Sequence, residues 1–127
     1  YRLTNQIKFI DHCKDMALAY QVSDIVISPS IEPEAFGRVA VEAQSMEKLI
    51  IASNIGGSNE TIINEKTGFL FEAGDSNSLS KRIIQAITMD ETSNKLIGKE
   101  GRKNIIKKFN VEKMCFSTYS EYKRLLN

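Results

Sequence analysis

Two glutamates on either side of a glycine have the types and spacing expected of a site that binds a phosphorylated ligand. Gly37 follows a buried apolar run and begins a predicted helix. The free N–H groups near Gly37, Arg38 and Val39 therefore lie at the positive end of a helix dipole, which suits phosphate. Glu42 falls in the second turn of this helix, where its carboxylate would accept hydrogen bonds from a group beyond the phosphates, such as a ribose diol. Glu34 lies in the preceding loop and would project toward whatever the phosphate carries.

Short apolar runs alternate along the chain with stretches of helical composition, and these elements must position the two glutamates. Strands are predicted over 7–10, 24–28, 49–52 and 68–71, and helices over 13–20, 38–46, 59–64, 92–108 and 111–126, with one more that reaches 89 from a cap at 75 or 77. Fully apolar strands separated by helices are typical of a parallel sheet with helices on both faces. Because ligands bind at the carboxyl ends of such strands, we expect chemistry in the loops after Ser28 and Ala52.

Composition places the chain among ordinary globular domains. Its 127 residues correspond to one domain, with 42% hydrophobic and 26% charged residues and a formal net charge of +1. That net charge does not indicate a nucleic-acid partner. Acidic residues predominate up to residue 94 and basic residues from 95 onward. The basic end is either a solvated helix face or a contact with an anionic membrane surface, through Lys99, Arg102, Lys103, Lys107 and Lys108.

The few cysteines and the single histidine argue against a metal site and against a histidine-dependent catalytic triad. Cys13 and Cys115 are far apart and lack metal-ligand spacing, which favours a reducing, cytoplasmic compartment. The single histidine, His12, is too little for a zinc site or for a Ser-His-Asp triad. The sequence has no apolar run long enough to span a bilayer. It begins at Tyr1 rather than methionine, so we expect a fragment or a processed product of a longer protein.

A family resemblance rests on three segments in a fixed order. They are residues 34–44 (EAFGRVAVEAQ), 50–61 (IIASNIGGSNET) and 67–75 (TGFLFEAGD). These segments resemble the motifs of glycosyltransferase family 4 and related retaining enzymes of the two-domain GT-B type, in which two glutamates are separated by seven residues. The form is close to that of bacterial surface-polysaccharide members, and the resemblance covers nearly the whole chain.

The resemblance implies a role for each residue of the first segment. Glu34 would be the catalytic residue, in an orienting and electrostatic role at the donor sugar. The matching glutamate of the family is not established as a covalent nucleophile. Glu42 would bind the ribose of the donor. The backbone of the intervening residues would line the sugar pocket and meet the distal phosphate: Ala35, Phe36, Gly37, Arg38 and Val39. Members of the family retain anomeric configuration and usually need no metal or other cofactor.

Four more residues are candidates for contact with the donor, and each also has a purely structural interpretation. Gly56 and Gly57 either border the donor or make a turn that requires positive φ. Ser30 either reaches the ligand or only ends its strand. His12 stands where the family often has glycine, and either faces the nucleotide or lies exposed in a loop. Glu47 also replaces a usual glycine, which leaves its turn geometry open.

The resemblance further implies the fold and the function. Residues 1–127 would form the C-terminal, nucleotide-sugar-binding domain of a larger two-domain enzyme, a Rossmann-like half of the GT-B fold that is incomplete at its N-terminus. The enzyme would transfer a hexose from a UDP- or GDP-linked sugar to a glycan or a lipid-linked acceptor. We expect it in surface-polysaccharide or lipopolysaccharide synthesis, in the cytoplasm or at the inner face of the membrane.

The isolated chain should be inactive, because the acceptor-binding N-terminal domain lies outside it. Two alternatives stay open. One is a non-catalytic nucleotide-sugar-binding or assembly module that pairs with a separate N-terminal chain. The other is an epimerase or phosphorylase on the same fold. The spacing from Glu34 to Glu42 favours a transferase over the epimerase.

Overall fold

A three-stranded parallel sheet forms the centre of the molecule. The computed structural model describes residues 3–126. The strands are β1 (Ile25–Ser28), β2 (Leu49–Ser53) and β3 (Phe69–Phe71), in the order β1-β2-β3. Ile25 pairs with Leu49, and Ile51 pairs with Phe69. All three strands therefore end at the same edge of the sheet, as the sequence predicted.

Within residues 3–126 there are six helices, five of which precede, connect or follow these strands as parts of the packed domain. They are α1 (Met16–Val22), α2 (Arg38–Ser45), α3 (Ser58–Thr61), α4 (Ser76–Thr88), α5 (Glu91–Lys108) and α6 (Val111–Leu126). Each predicted helix is present within a few residues of its expected bounds. The cap of α4 is Asp75, whose carboxylate accepts hydrogen bonds from the backbone N–H groups of Asn77 and Ser78.

The middle strand shows how both faces of the sheet are covered. Every residue of β2 is buried. Ile50 and Ala52 pack with residues of α1 and α2, and Leu49 and Ile51 pack with residues of β3 and α4. Because successive side chains of a strand point to opposite faces, this alternation defines two apolar layers. The predicted α/β class, with a parallel sheet between helices, is confirmed.

The predicted strand over 7–10 is wrong. This segment has no regular secondary structure, and Phe9 is 92% exposed. The apolar run has strand propensity, but a strand also requires a neighbouring strand for its backbone hydrogen bonds. Within residues 3–126, β1 pairs only with β2, and the segment over 7–10 joins no strand.

The turn after α2 resolves the question raised by Glu47. Glu47 has a φ of 57°, the left-handed conformation that favours glycine. The carbonyl of Glu47 lies against Gly98 of α5, where an added Cβ would come within 2.0 Å of the Glu47 oxygen. Gly98, which weakens the helical pattern in the sequence, is therefore required by the close approach of α5 to this turn.

The last helix is largely exposed. Residues of α6 include none that is buried, and Tyr119 and Tyr122 are both 65% exposed. Phe69 and Phe71 are core residues, whereas the two tyrosines lie outside the core of the described chain. No helix within residues 3–126 has both the length and the apolar character needed to cross a bilayer.

Candidate functional site

The N-terminus of α2 lies beyond the carboxyl end of β1 and begins with Gly37. This glycine is buried and adopts left-handed backbone angles, with φ 71° and ψ 58°. Gly37 offers no side-chain cap, so the first N–H groups of the helix, those of Arg38 and Val39, are without a capping side chain. The positive end of the helix dipole is thus free for an anion.

The Gly56-Gly57 pair supports the loop before α2 from below. The N–H of Gly57 donates to the Glu34 carbonyl at 2.8 Å. A Cβ on Gly57 would lie 2.3 Å from the Phe36 carbonyl carbon, and one on Gly56 would lie 2.5 Å from the Glu34 oxygen. The requirement for glycine is therefore the close contact between two backbones. Positive φ is confirmed for Gly56, at 57°, but is wrong for Gly57, at −61°.

Ser30 and Glu34 are brought together by the loop that follows β1. The Ser30 hydroxyl donates to Glu34 Oε1 at 2.5 Å, and Glu34 is exposed. The hydrogen bond restricts the carboxylate at one oxygen and leaves the other to accept hydroxyl donors. Ser30 thus lies beside the candidate catalytic glutamate rather than only ending its strand.

Glu42 is held by two donors. The Tyr20 hydroxyl donates to Glu42 Oε2 at 2.9 Å, and Arg38 Nη2 donates to Oε1 at 3.1 Å. Burial, together with the hydrogen bond to Glu42, raises the pKa of Tyr20 to about 12. Sequence reasoning missed Tyr20. Its helix was predicted, but nothing in the sequence links its hydroxyl with a carboxylate 22 positions away.

A buried polar cluster beneath the site was also missed. The Gln44 amide donates to the carbonyls of Ala40 and Thr61, and the Asn104 amide also donates to Thr61. The Thr61 hydroxyl donates to the carbonyl of Gly57. These bonds join α2, α3 and α5 under the Gly56-Gly57 pair. Polar residues within amphipathic helices are the only sequence signal for such a cluster, and that signal is common to many exposed positions.

Phe36 faces away from the two carboxylates toward the junction of α5 and α6. Its ring packs edge-to-face on Phe109, with centroids 5.6 Å apart. Both rings line a groove of about 540 Å³ together with Val111 and Met114. This groove is not lined by Glu34 or Glu42. Phe36 thus belongs both to the loop that carries Glu34 and to the lining of this groove.

His12 and the other residues predicted near the donor differ in position. Ala35 is exposed in the loop before α2, and Val39 is half-buried in the first turn of that helix. His12 is exposed in the segment before α1, and its side chain forms none of the hydrogen bonds found within residues 3–126. The structure thus groups Ser30, Glu34 and the start of α2, and His12 forms no hydrogen bond to any of them.

The predicted basic residues toward the C-terminus are exposed on α5, and some of them form ion pairs. Arg102 contacts Glu47 and donates to the carbonyl of Ser45, and Lys103 lies 2.6 Å from the Glu100 carboxylate. Lys107 and Lys108 take part in none of the ion pairs found within residues 3–126. Lys99 is also exposed and takes part in none of these ion pairs, so the free positive charge of this predicted set lies at Lys99 and in the last turn of α5.

Comparison with known proteins places this geometry in a family. The family described as "Glycosyl transferases group 1" matches residues 1–109. The capsular polysaccharide biosynthesis glycosyltransferase CapM of Staphylococcus aureus is 32% identical over 120 residues, which cover 94% of this chain and 31% of that protein. The chain therefore spans about a third of the length of this relative.

Solved structures agree with the family match. A glycosyltransferase from Rickettsia africae superposes with a TM-score of 0.91 at 38% identity, covering 99% of this chain and 34% of that one. Anabaena Alr3699/HepE, solved in complex with UDP and glucose, superposes with a TM-score of 0.86 at 28% identity, covering 94% of this chain and 33% of that one. These neighbours are GT-B glycosyltransferases, so the predicted Rossmann-like half of a GT-B fold is confirmed.

Proposed function

Because the chain belongs to the group 1 glycosyl transferases, we propose that it forms the donor-binding half of a retaining hexosyltransferase that uses a nucleotide-diphosphate sugar. The N-terminal acceptor-binding domain is its partner in the longer enzyme. The isolated chain transfers no sugar, because neither the acceptor site nor the opposite wall of the cleft is present in it. Sugar transfer by the 127 residues alone would contradict this part of the proposal.

One arrangement supports the proposal above all others. An uncapped helix N-terminus lies between two carboxylates that are each held by a hydroxyl, Glu34 by Ser30 and Glu42 by Tyr20. A nucleotide sugar has the matching order of groups. Its sugar hydroxyls suit Glu34, its diphosphate suits the helix N-terminus, and its ribose diol suits Glu42.

The same arrangement suggests how the reaction is assisted. When the bond between sugar and diphosphate breaks, negative charge develops on the leaving phosphate. Preorganised N–H groups at the start of α2 stabilise that charge without reorganisation during the reaction. Glu34 orients the sugar and stabilises positive charge that develops at the anomeric carbon. The transfer needs no metal ion in this scheme, and unchanged activity of the longer enzyme in EDTA is the expected result.

The relatives favour a UDP-linked donor and a surface glycan as product. Alr3699/HepE was solved with UDP and glucose, and CapM is described as an enzyme of capsular polysaccharide biosynthesis. We therefore place this chain in surface-polysaccharide or lipopolysaccharide assembly, with UDP ahead of GDP as the nucleotide.

The donor site is tested by titrating the chain with UDP, GDP and their glucose and mannose conjugates while amide resonances are followed by NMR. Shifts at Gly37, Arg38 and Val39 are expected, and Glu42→Ala should abolish them. Glu112→Ala is the matched control, because Glu112 is an exposed glutamate in the first turn of α6. Equal shifts in the wild type and Glu42→Ala would refute the assignment of Glu42.

The proposal includes peripheral contact with an anionic membrane through the last turn of α5. Lys107 and Lys108 are exposed and outside the ion pairs of the described chain, so they offer free positive charge. The double variant Lys107→Glu, Lys108→Glu should lower binding to phosphatidylglycerol vesicles by roughly thirtyfold or more, at about 1 kcal/mol per lysine removed. Lys81→Glu on α4 is the control, and equal vesicle binding by both variants would refute the contact.

A further inference from the structure

Tyr20 is a buried residue whose hydroxyl donates a hydrogen bond to Glu42, the residue proposed to bind the ribose. It is 5% exposed, near the end of α1, and packs in the apolar layer that includes Ala40 and Ala43 of α2. A buried tyrosine hydroxyl requires a hydrogen-bond partner. Here the partner is Glu42 Oε2, at 2.9 Å. The core of the domain thus contacts the site through one phenol.

The two donors to Glu42 differ in rigidity. The Arg38 side chain is 84% exposed and lies one helical turn from Glu42, so its ion pair is weak and easily exchanged with water. Tyr20 is fixed by the packing around its ring. A carboxylate has about four lone-pair positions on its two oxygens, and these donors occupy two of them. About two positions therefore stay open for further donors.

We propose that Tyr20 is a positioning residue that fixes the Glu42 carboxylate so that its open lone pairs accept both hydroxyls of a ribose, which makes the site selective for ribonucleotides. The inference rests on the proposed function, because it assumes that Glu42 binds the ribose. A free glutamate has several rotamers, and ordering it on binding would cost entropy. The phenol orders it in advance, and a diol needs both acceptor positions at once.

A purely structural role for Tyr20 predicts something different. If the hydroxyl only satisfies its own burial, its loss weakens the fold or the cleft in general. Binding of ribonucleotides and deoxyribonucleotides would then fall together. A positioning role instead lowers only the part of the affinity that depends on the ribose 2′-hydroxyl.

The experiment compares Tyr20→Phe with the wild type, both in the longer enzyme, for binding of UDP, 2′-deoxy-UDP, GDP and 2′-deoxy-GDP by calorimetry. We expect the wild type to prefer the ribonucleotide of its base about tenfold or more, as one hydrogen bond to a charged group allows. Tyr20→Phe should lower that preference three- to tenfold, with deoxynucleotide binding changed less than twofold. Tyr119→Phe, an exposed tyrosine on α6, is the matched control.

The outcomes separate this inference from the proposed function. Equal losses for ribonucleotide and deoxynucleotide in Tyr20→Phe overturn the positioning role and leave the ribose assignment intact. A wild type that does not distinguish the two nucleotides, or that binds neither, overturns the ribose assignment of Glu42.

The contact itself is checked without ligand, by following the ring carbon bonded to the Tyr20 hydroxyl with ¹³C NMR as pH rises. The pKa of Tyr20, about 12 in the wild type, should fall in Glu42→Gln, because the charged acceptor is lost. An unchanged Tyr20 titration would overturn the inference, because Glu42 would then not contact the phenol in solution.

Discussion

Replacing Gly57 by alanine tests whether the glycine pair supports the candidate site. Gly57 has an ordinary φ of −61°, so alanine brings no backbone strain of its own. The new Cβ would lie 2.3 Å from the Phe36 carbonyl carbon and 2.5 Å from its oxygen, and both atoms are backbone. Relief therefore requires the loop over 34–36 to move by about 1 Å, since non-bonded carbon atoms favour separations of about 3.5–4.0 Å.

The cost of this movement follows from the contacts that it breaks. The hydrogen bond from Gly57 N–H to the Glu34 carbonyl, 2.8 Å long, contributes about 0.5–1.5 kcal/mol. Overpacking adds about 1–3 kcal/mol. We expect Gly57→Ala to lower the free energy of unfolding by about 2–4 kcal/mol, and also to weaken binding of a UDP-linked sugar, because Glu34, the proposed contact of the sugar, is displaced.

The control for Gly57→Ala is Gly74→Ala, measured by urea unfolding followed by circular dichroism. Gly74 has a φ of 78°, and an added Cβ there would meet no atom within 4 Å. Its cost is thus conformational alone, about 1 kcal/mol after the gain from a less flexible unfolded chain. If Gly57→Ala is no more destabilising than Gly74→Ala, the close contact between the two loops does not exist in solution and the reasoning fails.

Two further predictions concern residues that contact or cap α5. Glu47→Gly should raise the free energy of unfolding by about 0.5–1 kcal/mol, because the left-handed conformation costs glutamate more than glycine loses in flexibility, and a lower melting temperature would contradict this. Hydrogen bonds from the Ser93 hydroxyl and then from its backbone N–H lower the pKa of Asp90, the cap of α5. The stability that this carboxylate contributes is complete above its ordinary pKa of 3.8 and is lost as pH falls through the lower folded value, so Asp90→Asn should unfold with a weaker dependence on acid below pH 4. Equal acid dependence of the two proteins would show that the cap does not titrate with folding.

The order of elements was predictable because the main patterns were local. The β-branched run before Pro29 and the apolar run at 49–52 have the composition of buried strands, and Asp75 has the composition of a cap. The error at 7–10 has the same origin. A local pattern indicates that a segment favours extended backbone, but pairing depends on whether another strand lies beside it, which four residues do not specify.

The residues proposed to contact the ligand were predictable from the sequence, but the buried residues that hold them in place were not. Glu34, Gly37 and Glu42 lie within nine consecutive residues, so their spacing alone indicates a helix start between two carboxylates. Tyr20 and Asn104 act on the same region from distant parts of the chain. Sequence spacing does not reveal such contacts, because the fold itself creates them.

The residues that hold Glu34 and Glu42 in place couple the ligand affinity of the site to the stability of the fold. Glu42 depends on a phenol in the apolar layer, and the loop of Glu34 depends on Gly57, whose carbonyl is in turn bonded to Thr61. Substitutions in this support therefore change the position of the carboxylates as well as the packing of the core. A ligand that binds only the folded chain stabilises it, and with excess ligand the stabilisation grows with the logarithm of the affinity. A substitution beneath the site should thus reduce both the stability of the free chain and the additional stability that UDP provides, whereas one at an exposed position of α6 should reduce neither.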